Sequence, residues 1–200
     1  AEQGVGSDLI SVQPSERAQS VLAEGGINAA LDTMGENDTV QEHFSDTMRG
    51  GADLADPEAV RDLTAHAPEI VTRLKELGVP FHEKDGRLIL RSFGGQKKKR
   101  TAYAKSSTGK VLVSALIDEA RKWEAAGRIQ RLNHHEFIRL LTENGQCCGV
   151  RIRDAYTGGL YDLGGAVILA SGGLNGLFPG KTTGTTANTG DATATVFRQG

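Results

Sequence analysis

Four short stretches carry the residue types from which a ligand site can be built: Ala23-Glu24-Gly25-Gly26-Ile27-Asn28-Ala29-Ala30-Leu31, Phe93-Gly94-Gly95-Gln96, Ala170-Ser171-Gly172-Gly173 and Thr189-Gly190-Asp191. Paired glycines let a main chain come within touching distance of a ligand, because no Cβ blocks the approach. In the first stretch, Ile27, Ala30 and Leu31 can anchor a short helix behind such a cradle; a plain glycine turn before a helix is the alternative. Asp191 can accept hydrogen bonds from a ribose or ribityl hydroxyl, or it caps a helix. Other chemistries find less support. His134 and His135 are neighbours in an extended segment and diverge, while His43, His66 and His82 lie in separate elements without ligand spacing for a metal. No serine nucleophile elbow occurs. The pattern favours a large ligand held by backbone over acid-base chemistry from the chain's own side chains.

The elements that must position these stretches can be read from periodicity. Asp8–Gln13, bounded by Gly6 and Pro14, suits a buried strand of a parallel sheet that leads into the cradle. Asp38 is placed to cap a helix with Val40, Phe44, Thr47 and Met48 on one face, ended by Gly50-Gly51. Asp56 and Pro57 start a second helix, and Pro68 begins or kinks a further segment that Gly78 stops. Arg87–Arg91 follows the Asp85-Gly86 turn as a short strand. Lys97-Lys98-Lys99-Arg100 reads as a solvated basic turn, with an anion site or a localisation tag as alternatives. Thr108-Gly109-Lys110 opens a long amphipathic helix closed by Gly127, and the upstream glycine of a P-loop is absent. From Arg128 the period becomes alternating: a strand at 137–141, a turn at Glu143-Asn144-Gly145, its partner at 148–153, a third strand at 160–163 and a buried fourth at Ala166–Ala170. Strands following helices in this way indicate a β-meander laid against an α/β sheet.

Composition sets the class. The 200 residues are 38% hydrophobic and 24% charged with a formal net charge of -2, so no global field points to nucleic acid or an anionic membrane. The 26 glycines follow no period, which excludes a collagen-like chain. Cys147 and Cys148 are adjacent and read as reduced thiols. The longest apolar run is too short to cross a bilayer, which places the protein in the cytoplasm or peripheral to a membrane. Both ends read as cut, with a helix end at Ala1–Gly6 and a helix still under way at Asp191–Gly200.

Arg17-Ala18-Gln19-Ser20-Val21-Leu22-Ala23-Glu24-Gly25-Gly26-Ile27-Asn28-Ala29-Ala30-Leu31, then Phe93-Gly94-Gly95-Gln96, Ala170-Ser171-Gly172-Gly173 and Thr189-Gly190-Asp191, in this order and at these spacings, resemble the fumarate reductase and succinate dehydrogenase flavoprotein family. L-aspartate oxidase belongs to the same group. The resemblance covers nearly the whole chain. It implies an α/β, Rossmann-like FAD-binding domain, with a three-layer parallel sheet plus β-meander and inserted helices. It further implies that Ala18 to Gly26 pass along the isoalloxazine and pyrophosphate, with Ser20, Gly25 and Gly26 in close contact. His135, Glu136 and Phe137 match the strand that meets the adenine, Ala170, Ser171 and Gly172 a cofactor-facing loop, and Asp191 a flavin-binding aspartate. Glu24, Gly25 and Phe93 border the dicarboxylate pocket. The implied chemistry is hydride transfer between flavin and a dicarboxylate carbon, in partnership with an iron–sulfur or cytochrome electron-transfer subunit.

Three departures qualify the resemblance. The Gly-x-Gly-x-x-Gly turn of the first βαβ unit is missing. The family's substrate-binding histidine and catalytic arginines, with its capping domain, fall beyond Gly200, so the resemblance assigns no catalytic residue here. Gln19 stands where membrane-bound members carry the histidine bonded to flavin, which implies non-covalent FAD. The 200 residues by themselves are therefore expected to be catalytically silent and to bind FAD weakly or not at all. The alternatives are another flavoenzyme of the same fold, such as a ketosteroid dehydrogenase-like protein, or a non-catalytic remnant used for protein contacts.

Overall fold

The computed structural model describes residues 1–200. In chain order it contains β1 (Ser7–Ser11), β2 (Ile27–Asn28), α1 (Val40–Gly50), α2 (Pro57–Glu76), β3 (Glu83–Lys84), β4 (Arg87–Leu88) and β5 (Thr101–Ala102). These are followed by α3 (Thr108–Ala125), β6 (Ile129–Asn133), β7 (His135–Glu143), β8 (Gln146–Asp154), β9 (Leu160–Gly164) and α4 (Asp191–Gln199). The chain divides into two compact units, Ser20–Glu119 on the one hand and Ala1–Gln19 with Ala120–Gly200 on the other.

The Ser20–Glu119 unit is built on α2. Asp56 caps it by accepting from the Glu58 N–H at 2.9 Å, and Pro57 occupies the first turn, where its missing donor costs nothing. Val60, Thr64, Ala67, Val71 and Leu74 are its buried residues, spaced by three and four so that they form one stripe. Val71, Leu74, Val79, Phe81, Leu88 and Leu90 make the body of the core, each large side chain contributing about 1.5–3 kcal/mol. Pro68 starts no new segment: α2 runs through it unbroken, because the stripe on either side is buried in the same core. Asp38 does not cap α1. Thr39 does, accepting from the Glu42 N–H at 3.1 Å, and the Asp38 carboxylate is turned inward onto Arg100. Nor is the basic run a solvated turn throughout. Arg100 is fully buried, paired with Asp38 at 2.7 Å and Asp46 at 3.1 Å, and the Lys98 ammonium donates to the Glu36 carbonyl at 2.6 Å. The predicted helix behind the cradle is a strand instead, since Ile27 and Asn28 pair antiparallel with Ala102 and Thr101. Of Arg87–Arg91, only Arg87 and Leu88 pair across the Asp85-Gly86 turn, whose two residues have φ of 52° and 77°.

In the second unit, β1 and β6 pair in parallel from Ser7↔Ile129 to Ser11↔Asn133. Leu9 is half exposed, so β1 is a strand but not a buried one. His134, with φ of 60°, separates β6 from β7, so the two neighbouring histidines do not share one extended segment. β7, β8 and β9 form the predicted antiparallel meander, turned at Asn144-Gly145 with φ of 50° and 77°. Val150 and Ile152 fill its inner face. A Cβ on Gly149 would lie 2.2 Å from the Leu163 carbonyl oxygen, so only glycine allows that approach. Gln199 fastens α4 to β7 by bonding both the N–H and the C=O of Leu140. Ala166–Ala170 is not a buried strand. It pairs with no strand of this chain, and Ile168 is 92% exposed. Cys147 and Cys148 are free and exposed. No helix is long and apolar enough to cross a membrane.

Candidate functional site

In the Ser20–Glu119 unit, the cradle is held from two directions. Thr108 and Gly109 open α3 directly against it: the Gly109 N–H donates to the Ala23 carbonyl at 2.7 Å, and the Thr108 hydroxyl lies 3.4 Å from the Glu24 carbonyl. A Cβ on Gly109 would fall 1.9 Å from the Ser20 carbonyl oxygen, so the helix can come this close only as glycine. From the other side, β5 carries the cradle. The Ala29 N–H donates to the Arg100 carbonyl at 2.9 Å, and the Thr101 hydroxyl sits 2.7 Å from Asn28 Oδ1 and 3.3 Å from Gln96 Oε1. Gly26 has φ of 123°, and a Cβ there would meet the Ala102 oxygen at 2.4 Å.

Above this base the structure brings Glu24, Gly25 and Phe93 together. A Cβ on Gly25 would lie 3.0 Å from the Phe93 ring, which is itself 54% exposed. The joining residue is Arg91, which the sequence reading passed over. Its guanidinium donates to the Gly25 carbonyl at 2.7 Å and the Glu24 carbonyl at 3.2 Å. A cation three residues before a glycine pair was the only signal for it. Within the described residues the amides of Gly25 and Gly26 find no acceptor, which leaves two adjacent donors beside an aromatic ring. Such a donor pair suits an anionic oxygen of a cofactor or substrate.

In the other unit, Ala18 is exposed and Gln19 half-buried, with Gln19 Oε1 accepting from the Thr185 N–H at 2.5 Å. Asn175 binds the same loop through the Thr185 carbonyl at 2.8 Å. His135, Glu136 and Phe137 open β7. His135 Nδ1 donates to the Asn133 carbonyl at 2.8 Å, Glu136 is ion-paired with Arg153, and Phe137 stands opposite Ile152. Nearby, Asp154 accepts from the N–H groups of Thr157 and Tyr156, and these hold its carboxyl below the usual range. Ala170, Ser171 and Gly172 form an exposed irregular segment, with Gly172 at φ of 77° close against Asn188. Asp191 is not the cap of α4. Gly190, at φ of 75°, holds that position, and Asp191 is the first helical residue, accepting from the Thr189 hydroxyl at 2.8 Å. The carboxylate is exposed at a helix N-terminus, where the dipole favours an anion.

These arrangements have relatives. A family model described as "FAD binding domain" matches residues 1–200. The chain is 38% identical to the succinate dehydrogenase flavoprotein subunit of Bacillus subtilis, over all of this chain and 34% of that protein. It is 37% identical to a fumarate reductase flavoprotein subunit of Mycobacterium tuberculosis, over 92% of this chain and 31% of that protein. Among solved structures, the Sdh1 complex of Mycobacterium smegmatis in its apo form superposes with a TM-score of 0.90 at 28% identity, covering all of this chain and 35% of that one. The chain thus spans about a third of the length of the curated relatives it matches.

Proposed function

Because the chain belongs to the FAD binding domain family of succinate dehydrogenase and fumarate reductase flavoproteins, we propose that it supplies the flavin-facing framework of an oxidoreductase acting on a dicarboxylate. The observation that carries the reading is the cradle itself: two unpaired amides at Gly25 and Gly26, with Phe93 over Gly25 and no Cβ in the way. FAD is the cofactor of the family, and the donor set fits it. When bound, it supplies a two-electron carrier for hydride exchange with a dicarboxylate carbon.

The chain's residues bind and orient. Gly25 and Gly26 offer N–H groups to anionic oxygens, and Phe93 excludes water beside them. Ala18, Gln19 and Ser20 pass along the flavin, while His135, Glu136 and Phe137 meet the adenine. Ala170, Ser171 and Gly172 border the cofactor, and Asp191 accepts from a cofactor hydroxyl. Glu24, Gly25 and Phe93 face the dicarboxylate. Gln19 has no nucleophilic nitrogen, and its oxygen is already engaged by Thr185, so FAD is held without a covalent bond. Residues outside these 200 provide the acid and the substrate cations, and an iron–sulfur or cytochrome subunit exchanges electrons with the flavin. The test is purification of the full polypeptide that carries this chain. Stoichiometric flavin, with turnover of fumarate or succinate, supports the reading; a flavin-free protein or one inert to both dicarboxylates refutes it.

A further inference from the structure

Arg91 is bound to the cradle in an unusual way. Its guanidinium donates to two successive backbone carbonyls, those of Gly25 at 2.7 Å and Glu24 at 3.2 Å. Its Cζ lies 4.3 Å from the Tyr103 ring centroid and 5.6 Å from that of Phe93. Tyr103 is stacked in turn on His82, with centroids 5.3 Å apart. The cation therefore belongs to a column running Phe93, Arg91, Tyr103, His82.

In a trans peptide the C=O and the following N–H point in opposite directions. With the carbonyls of Glu24 and Gly25 both drawn to one guanidinium, the N–H groups of Gly25 and Gly26 are both turned away from it. Those are the two amides that find no acceptor in the chain. Gly25 and Gly26 carry no side chain to restrict their φ and ψ, so contacts to the flanking carbonyls orient the peptide planes: Thr108 reaches Glu24 at 3.4 Å, and Arg91 holds both Glu24 and Gly25 at shorter range. One nitrogen, Nη2, makes both bonds, and the plane of the guanidinium fixes the directions of its two N–H groups, which a freely rotating ammonium does not. The same residue's cation–π contact fixes the ring that stands over Gly25.

We infer that Arg91 is the positioning residue of the cradle: it orients the Gly25 and Gly26 amides and the Phe93 ring toward an anionic carboxylate ligand without touching that ligand. The ligand's identity rests on the proposed function; the clamp does not.

The test uses the full polypeptide with Arg91→Met and Arg91→Lys. Amide exchange is followed without ligand in the peptide spanning residues 20–31 and in α2, and KM and kcat are measured with fumarate. Loss of charge-assisted bonds predicts exchange in 20–31 faster by about tenfold or more in Arg91→Met, with α2 unchanged. KM rises about tenfold while kcat stays within about threefold, and Arg91→Lys recovers part of both. Unchanged cradle exchange, equal loss of protection in α2, or a fall in kcat at constant KM overturns the inference. If the unsubstituted protein turns over neither fumarate nor succinate, the proposed function fails, and the exchange measurement alone decides on Arg91.

Discussion

Arg100, fully buried, holds both carboxylate oxygens of Asp38, through Nη2 at 2.7 Å and Nε at 3.1 Å. Its remaining nitrogen faces Asp46 at 3.1 Å. Through its own carbonyl, which accepts from Ala29, the same residue supports the strand beneath the cradle. Asp38→Asn leaves Arg100 its Asp46 partner but takes the ionised acceptor from two buried charge-assisted bonds, so it should lower the unfolding free energy by about 1.5–3 kcal/mol. Urea denaturation measures it, and a loss below about 1 kcal/mol would show that the pair is solvated in practice.

His43 gives the protein a pH dependence of known sign. It is buried, and both burial and the charge of Arg100 hold its pKa below the ordinary imidazole value of 6.5, against smaller opposing effects from Asp38 and Asp46. Above 6.5 neither the folded nor the unfolded chain carries a proton on this ring. Below it the unfolded chain binds one that the folded chain resists, so stability falls as pH drops through that value toward the folded pKa. His43→Gln should flatten the fall in Tm between about pH 7 and pH 5. An identical slope in both proteins would assign the fall to other groups.

Two glycines separate steric from conformational cost. Gly109→Ala places a methyl where the Ser20 carbonyl oxygen is 1.9 Å away, so strand-like give is impossible and either α3 or the cradle must move. A loss of about 1–3 kcal/mol or more is expected. Gly95, at φ of 77° with open space around its Cα, should lose only about 1–2 kcal/mol on Gly95→Ala, the cost of a left-handed backbone. Equal losses in denaturant midpoints would remove the distinction.

Gln19 has two roles to test. If FAD is bound non-covalently, acid precipitation of the full polypeptide leaves the yellow colour in the supernatant; colour in the pellet contradicts the reading. Its amide oxygen also accepts from Thr185 at 2.5 Å. Gln19→Ala should therefore raise amide exchange at Thr185 about tenfold, without altering the β7–β8–β9 ladder.

What the sequence settled by itself was local. The Asp56-Pro57 start of α2, its stop at Gly78 and the Asn144-Gly145 turn depend on φ preferences and on donors within a few residues, and each is where the residues placed it. The glycine-rich stretches pointed to the family through their order and spacing. Tertiary structure decided the rest, because it depends on what stands opposite. Four consecutive basic residues look alike in sequence, yet only Arg100 meets two carboxylates, supplied from Asp38 and Asp46, and is buried. Ala166–Ala170 has the apolar content of a buried strand but no ladder partner in this chain, so it stays exposed. Arg91 carried no motif at all. Its place between Phe93 and Tyr103, with Glu24 and Gly25 in reach, comes from the folding of segments more than sixty residues apart.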